Sequence, residues 1–282
     1  MSKPEDMGPP NLSDTFREVI RATKEWKYLV KHWDKLKEQV PSGNGEAVMI
    51  LPGFSNGDFS NKYLIKFLEE IGYTVYGWEN GVNIGLNQKT AEHLEKRLDE
   101  LYQKHGKVRL IGHSLGGIFA REMAREHPEK VEMVITMGSP FGAVVHPNSA
   151  AFGIRAILSL LDPKNVILSG DELHDRALTP PPNIPITSIY TKTDGIVNWR
   201  TCINPDTSDS ENVRVLGSHS GLIANLSALL VVADRLSQKA SNWKPFDLND
   251  HKSDMTSRIR EHKGFTPDLP EEYTLDKGPK LF

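Results

Sequence analysis

Two kinds of segment alternate along the chain. Short apolar runs at Glu46–Leu51, Tyr73–Trp78, Val108–Gly112 and Val131–Met137 have the length and β-branched content of strands buried on both faces. Between them lie stretches with helical spacing. Asn61–Ile71 offers Tyr63, Ile65, Phe67 and Leu68 to a core, Thr90–His105 carries Leu94, Leu98 and Leu101 on one face, and Leu115–Glu126 is stopped by Pro128. Further on, Ile186–Thr193 and Asn212–Leu216 read as strands, and Leu222–Leu236 as a closing helix. Strand and helix in turn predict an α/β domain with a mostly parallel central sheet of about six strands and helices on both faces.

Three regions depart from this alternation. Within residues 1–45, Phe16, Val19, Ile20, Trp26, Leu29, Val30, Trp33 and Leu36 recur at helical spacing among charged residues, which predicts an amphipathic helix from about Ser13 to Glu38. Packing of that apolar face on the domain is the expected role; attachment to a lipid surface is the alternative. Between about 142 and 185 the pattern breaks around a mostly apolar stretch, Ala150–Leu161, whose Ile157 and Leu158 are candidate substrate-binding residues together with Phe141. The stretch 247–282 is polar and aperiodic, and reads as an extended tail. The domain proper is expected to span 46–246.

Chemistry enters at Gly112-His113-Ser114-Leu115-Gly116, a G-x-S-x-G sequence between a strand and a helix. In that context the serine occupies a strained turn that presents its hydroxyl, and small neighbours let helix and strand approach. Ser114 is the candidate nucleophile. A hydroxyl needs a base and a group to orient it. Asp194 follows one strand, and His219 follows the next within Gly217-Ser218-His219-Ser220-Gly221. The order Ser114, Asp194, His219 matches the Ser…Asp/Glu…His order of α/β-hydrolases. Asp162, Asp171 and Asp175 are rival acids that lie on no strand end. For the oxyanion, the turn Pro52-Gly53-Phe54 after the first strand offers the Phe54 amide, and the residue after the nucleophile offers the Leu115 amide.

The pattern LPGF, GHSLGG, GSPFG, TDGIV and GSHSGL, in that order on successive strand ends, resembles the serine lipase and esterase branch of the α/β-hydrolase superfamily, and more closely a group of bacterial lipase-like hydrolases. The stretch from Gly72 to Asn83 and the closing Ala233-Asp234-Arg235-Leu236 belong to the same likeness, which covers about 46–246. It implies Ser114 as nucleophile, Asp194 as acid, His219 as base, oxyanion amides at Phe54 and Leu115, and a lid within 142–185. Some relatives carry Trp where this chain has His113, and Cys where it has Ser220. The two antiparallel strands that often open this fold have no evident counterpart here.

Composition narrows the classes. At 282 residues and a formal charge of −3, the chain can bury a full core and has no basic field for nucleic acid. Its one cysteine, Cys202, cannot form an internal disulfide and reads as a packing residue, and no Cys/His cluster has zinc spacing. The first ten residues lack the apolar core of a secretory signal, and no run approaches the ~20 apolar residues of a membrane span, so a cytoplasmic protein without stable membrane insertion is expected. The expected activity is hydrolysis of a small-molecule or lipid-like ester through an acyl-enzyme, with no cofactor and no metal. An acyltransferase and a non-catalytic ligand-binding homologue are the alternatives, and Ser114 at the elbow excludes the aspartate nucleophile of dehalogenases and epoxide hydrolases.

Overall fold

The computed structural model describes residues 9–144, 179–205, 207–247 and 250–251. Six strands form one sheet: β1 (Ala47–Leu51), β2 (Thr74–Gly77), β3 (Val108–His113), β4 (Val131–Met137), β5 (Ile186–Tyr190) and β6 (Ser210–Arg214). Every pairing is parallel, and the order is β2-β1-β3-β4-β5-β6. The sheet is therefore all-parallel rather than mostly parallel. The helices are α1 (Leu12–Gln39), α2 (Lys62–Glu70), α3 (Gln88–His105), α4 (Leu115–Glu126) and α5 (Leu226–Ser237).

Both faces of the sheet are covered, which is why β1, β3 and β5 are buried along their whole length. Alternation along β1 divides the core: Val48 and Ile50 join Leu29 and Leu36 of α1, Leu64 and Phe67 of α2 and Leu229 of α5 on one face. Ala47, Met49 and Leu51 join Leu94 and Leu98 of α3 and Phe119 of α4 on the other. From β1 the chain moves outward to β2, then crosses β1 to reach β3 and continues in one direction. The connections leaving β1 and β3 thus diverge, and the crevice between their C-terminal ends is where open α/β sheets place ligands.

Element boundaries shift in places. The expected strand at 186–193 stops at Tyr190, because Thr191 and Thr193 turn their hydroxyls to the Gly217 carbonyl, at 3.1 and 2.6 Å. The closing helix begins at Leu226 after a 3-10 turn, capped by the Asn225 side chain on the Ala228 amide. The region 145–178, with Ile157, Leu158, Asp162, Asp171 and Asp175, lies outside the described residues, as does most of the C-terminal stretch. Among the described residues, no helix is long and apolar enough to cross a membrane.

The N-terminal helix forms as expected and packs on the domain, but its first half does so with a different face. Trp33 meets Phe67 and Tyr63 edge-on, and Leu29 and Leu36 are fully buried. Earlier in α1 the buried residues are Glu18, Arg21 and Glu25, while Phe16 and Val19 are 80% and 75% exposed, and Ile20, Trp26 and Val30 are exposed as well. The expected apolar face therefore packs only in its second half. Spacing alone reports which residues share a stripe, and the surface that α1 meets here is lined by backbone amides and carbonyls that call for polar partners.

Helix α4 lies so close to the strands that Gly116 admits no side chain: a Cβ there would sit 2.2 Å from the Leu51 carbonyl oxygen. Gly116→Ala should destabilise the fold by about 2 kcal/mol or more, since backbone must move to relieve the overlap. Urea unfolding of wild type and variant measures this, and an unchanged midpoint would contradict the packing described.

Candidate active site

The loops after β1, β5 and β6 meet the tight turn after β3 beyond the C-terminal edge of the sheet. At the end of β3, Ser114 has φ 52 and ψ −121, a left-handed conformation unusual for a residue with a side chain. The turn is over-determined: the Ser114 amide donates to the Met137 carbonyl at 2.9 Å, and the Ser114 carbonyl accepts from Gly117 at 3.0 Å. Although Ser114 is the N-cap of α4, its hydroxyl caps nothing and has no hydrogen-bond partner among the described residues. The hydroxyl of this buried serine thus adds no hydrogen bond to the strained turn that holds it.

Asp194 and His219 are brought together. The Asp194 carboxylate accepts the amides of Ile196 and Val197 on Oδ1, at 2.9 and 2.8 Å, and His219 Nδ1 on Oδ2 at 2.7 Å. Because a carboxylate only accepts, Nδ1 holds the proton, and in the neutral ring Nε2 carries the lone pair. Burial opposes charging of His219, but the Asp194 charge and hydrogen bond, with a smaller contribution from Glu18, outweigh it and raise the imidazole pKa above its ordinary value.

No hydrogen bond joins Ser114 to His219 here; in free enzymes such a bond often tightens only when substrate fills the site. The two are nonetheless neighbours through shared walls. The His219 ring lies 5.1 Å from the His113 ring, and a Cβ on Gly138 would come within 3.2 Å of His219 Nδ1. His113 Nε2 lies 2.9 Å from the His219 carbonyl, which only accepts, so His113 donates from Nε2. Burial, and then the adjacent His219, push the His113 pKa down to about 3, so it stays neutral and serves as a wall.

The loop after β1 closes the other side. A Cβ on Gly53 would sit 3.1 Å from Ser114 Cβ, so this loop passes directly over the serine. Neither the Phe54 amide nor the Leu115 amide is taken up by an acceptor among the described residues. Asn83 holds the loop: its Nδ2 donates to the Pro52 carbonyl at 2.8 Å, and its backbone exchanges hydrogen bonds with Ser55 and Asn56 at 2.7 and 2.8 Å. Asn83 was legible in the sequence only as a position in a likeness, without a role.

Phe141 follows β4 and is buried, its ring 3.8 Å from the Arg121 guanidinium carbon. Cys202 is buried, and burial, then the nearby Asp194 charge, hold its thiol pKa well above the usual value, as befits a packing residue. Among the described residues no group of three or more His, Cys, Asp or Glu is placed to hold a metal ion.

Two carboxylates of α1 that the sequence did not single out reach these loops. Glu25 accepts the Ser218 amide and hydroxyl on Oε1, at 2.8 and 2.7 Å, and Asn225 Nδ2 on Oε2 at 2.8 Å. Glu18 accepts the Ser220 amide at 2.6 Å and the Gly195 amide at 3.1 Å. The available signal was the 18, 21, 25 spacing, which sets three charged residues on one helical stripe.

The chain is similar to known hydrolases. Residues 46–160 match the family described as alpha/beta hydrolase fold. A stretch of 111 residues is 32% identical to bifunctional epoxide hydrolase 2 of Sus scrofa, covering 36% of this chain and 20% of that protein, so the chain spans about a fifth of that relative's length. A solved α/β hydrolase from the metagenome of sediments of the Mar Chica lagoon, Morocco, is 20% identical with a TM-score of 0.47, over 68% of this chain and 90% of that one. A monoacylglycerol lipase of Paleococcus ferrophilus is 17% identical with a TM-score of 0.42, over 63% and 88%.

Burial is the main reason that the Glu25 pKa is pushed up to about 7, against the hydrogen bonds from Asn225 and Ser218. The folded state thus holds this proton more tightly than the unfolded chain does. Its contribution to stability is complete below pH ~4.5, the unfolded value, and is lost as pH rises through ~7, on the order of 3 kcal/mol in all. Urea unfolding at pH 5 and pH 7.5 should show a smaller decline for Glu25→Gln than for wild type. Equal declines would contradict the assignment.

Proposed function

We propose that this chain is an α/β hydrolase and, more narrowly, a serine carboxyl-ester hydrolase of esterase or lipase type. The observation that carries the reading is a buried, aspartate-bound imidazole packed against the ring of His113, the residue before an uncommitted serine on a strained elbow. His219 Nε2 takes the Ser114 proton as Oγ attacks the ester carbonyl, and the Asp194 carboxylate stabilises the imidazolium that results. The Phe54 and Leu115 amides, free of other acceptors, receive the oxyanion. The imidazolium then protonates the departing alcohol, and water admitted to the same base releases the acid.

Serine chemistry also decides against epoxide opening as the main activity, despite the partial likeness to an epoxide hydrolase. A serine oxygen that opened an epoxide would form an ether, which water does not hydrolyse under these conditions, whereas attack on an ester gives an acyl-enzyme that does turn over. Acyl transfer to an alcohol or thiol in place of water uses the same groups and remains the second reading. The substrates expected are short to medium acyl esters.

Rates with p-nitrophenyl esters of two to sixteen carbons should rise and then fall with acyl length, and Ser114→Ala should abolish turnover. Asp194→Asn should lose on the order of 10³-fold in kcat/KM. Because His219 must be neutral to accept the proton and its pKa is raised, kcat/KM should fall as pH drops through a value above 6.5. Full esterase activity in Ser114→Ala would overturn the reading.

A further inference from the structure

The polar face of α1, in its first half, is buried on the two loops that carry Asp194 and His219. Thr15 Oγ1 donates to the Gly195 carbonyl at 2.7 Å, and Arg21 donates to the Thr193 carbonyl at 2.9 Å. On the other loop, Glu25 holds Ser218, the residue before His219. Glu18 reaches both: one carboxylate oxygen accepts the amide following Asp194, and the other accepts the amide following His219.

The loops are shaped to this helix. A Cβ on Gly195 would lie 2.5 Å from the Asp14 carbonyl, and a Cβ on Gly217 or Gly221 would lie 2.7 or 2.4 Å from Glu25 Oε2. Glycines flanking the acid and the base therefore follow from the closeness of α1. Glu18 is 4% exposed and Glu25 2%, whereas Phe16 and Val19 on the same helix face outward. Burying carboxylates is unfavourable beside burying the available hydrophobes, so helix packing alone does not account for the arrangement.

We propose that Glu18 is a positioning residue for the Asp194–His219 pair: its carboxylate fastens the acid-bearing loop to the base-bearing loop and places a second negative charge beside the imidazole. The inference rests on the reading of Asp194 and His219 as acid and base. Among the described residues, the titratable groups facing His219 are Asp194 from the β5 loop, His113 from the end of β3 and Glu18 from α1. His113 is neutral, so Glu18 adds its charge to that of Asp194 as His219 becomes an imidazolium. In Glu18→Gln one of the two acceptors becomes an NH₂ group opposed to a backbone N–H, and both the bridge and the charge are lost.

The test is a titration of the full chain by NMR, following the His219 Cε1–H resonance, assigned by its absence in His219→Gln. Ester hydrolysis is measured alongside. Glu18→Gln should lower the His219 pKa by about half a unit or more and move the acid limb of kcat/KM to lower pH by the same amount. It should reduce kcat about tenfold with KM within about twofold, since a misplaced base affects the chemical step more than binding. Glu38→Gln, at the exposed end of the same helix, should change neither. A His219 titration at the wild-type pH in folded Glu18→Gln overturns the inference, whatever happens to kcat. If Glu18→Gln does not fold, Glu18→Asp takes its place. It keeps the charge but is one methylene too short to reach both amides, so kcat should fall while KM holds, and a wild-type kcat overturns the inference. Wild-type protein without esterase activity would sink the proposed function, and the titration would still decide the role of Glu18.

Discussion

The site depends first on how closely α4 approaches the ends of β1 and β3. A Cβ on Gly112 would lie 2.3 Å from the Gly116 carbonyl, and one on Gly116 would lie 2.2 Å from that of Leu51. Helix and strands are in contact at backbone distance, so the chain turns within the single residue joining them. Ser114 is driven to φ 52, and the same geometry turns its hydroxyl away from the cap position, where it would otherwise bond to the helix. The loop after β1 then crosses within contact of the serine because Gly53 also lacks a side chain. The presentation of Ser114 and the passage of the Gly53 loop over it are thus two results of one packing distance.

Asp194 and His219 are held in another way. Their loops follow β5 and β6, at the edge of the sheet away from the elbow packing, and the direct Asp194–His219 hydrogen bond is reinforced from outside by α1. A long N-terminal helix contributes its polar stripe to those loops and keeps its apolar anchoring for the second half, where Leu29, Trp33 and Leu36 meet α2 and α5. The geometry of the pair therefore involves a helix distant from it in sequence, with hydrogen bonds spanning 172 to 202 residues.

Much of this was legible before any coordinates. The strand order of elements, the elbow at Gly112–Gly116 and the positions of Asp194 and His219 after strands follow from local rules: apolar runs of strand length, helical spacing, and glycines where backbones touch. The polarity of α1 was not legible, because Phe16, Val19 and Ile20 form the better apolar stripe by spacing, and the amides of Gly195, Ser218 and Ser220 that attract Glu18 and Glu25 lie far along the chain. Asn83 escaped for the same reason, since an asparagine in a loop acquires its role only when Pro52 and Ser55 arrive beside it. Strand ends were displaced where side chains such as Thr191 and Thr193 captured a carbonyl of another loop.

Covalent capture tests the central claim, that Ser114 is a nucleophile activated by its surroundings. Wild-type protein treated with a fluorophosphonate, measured intact by mass spectrometry and then mapped by peptide, should gain one adduct on the peptide holding Ser114, and excess ester should slow the reaction. Ester hydrolysis that persists with Ser114 unmodified, or an adduct carried by Ser139 or Cys202 instead, would contradict the account.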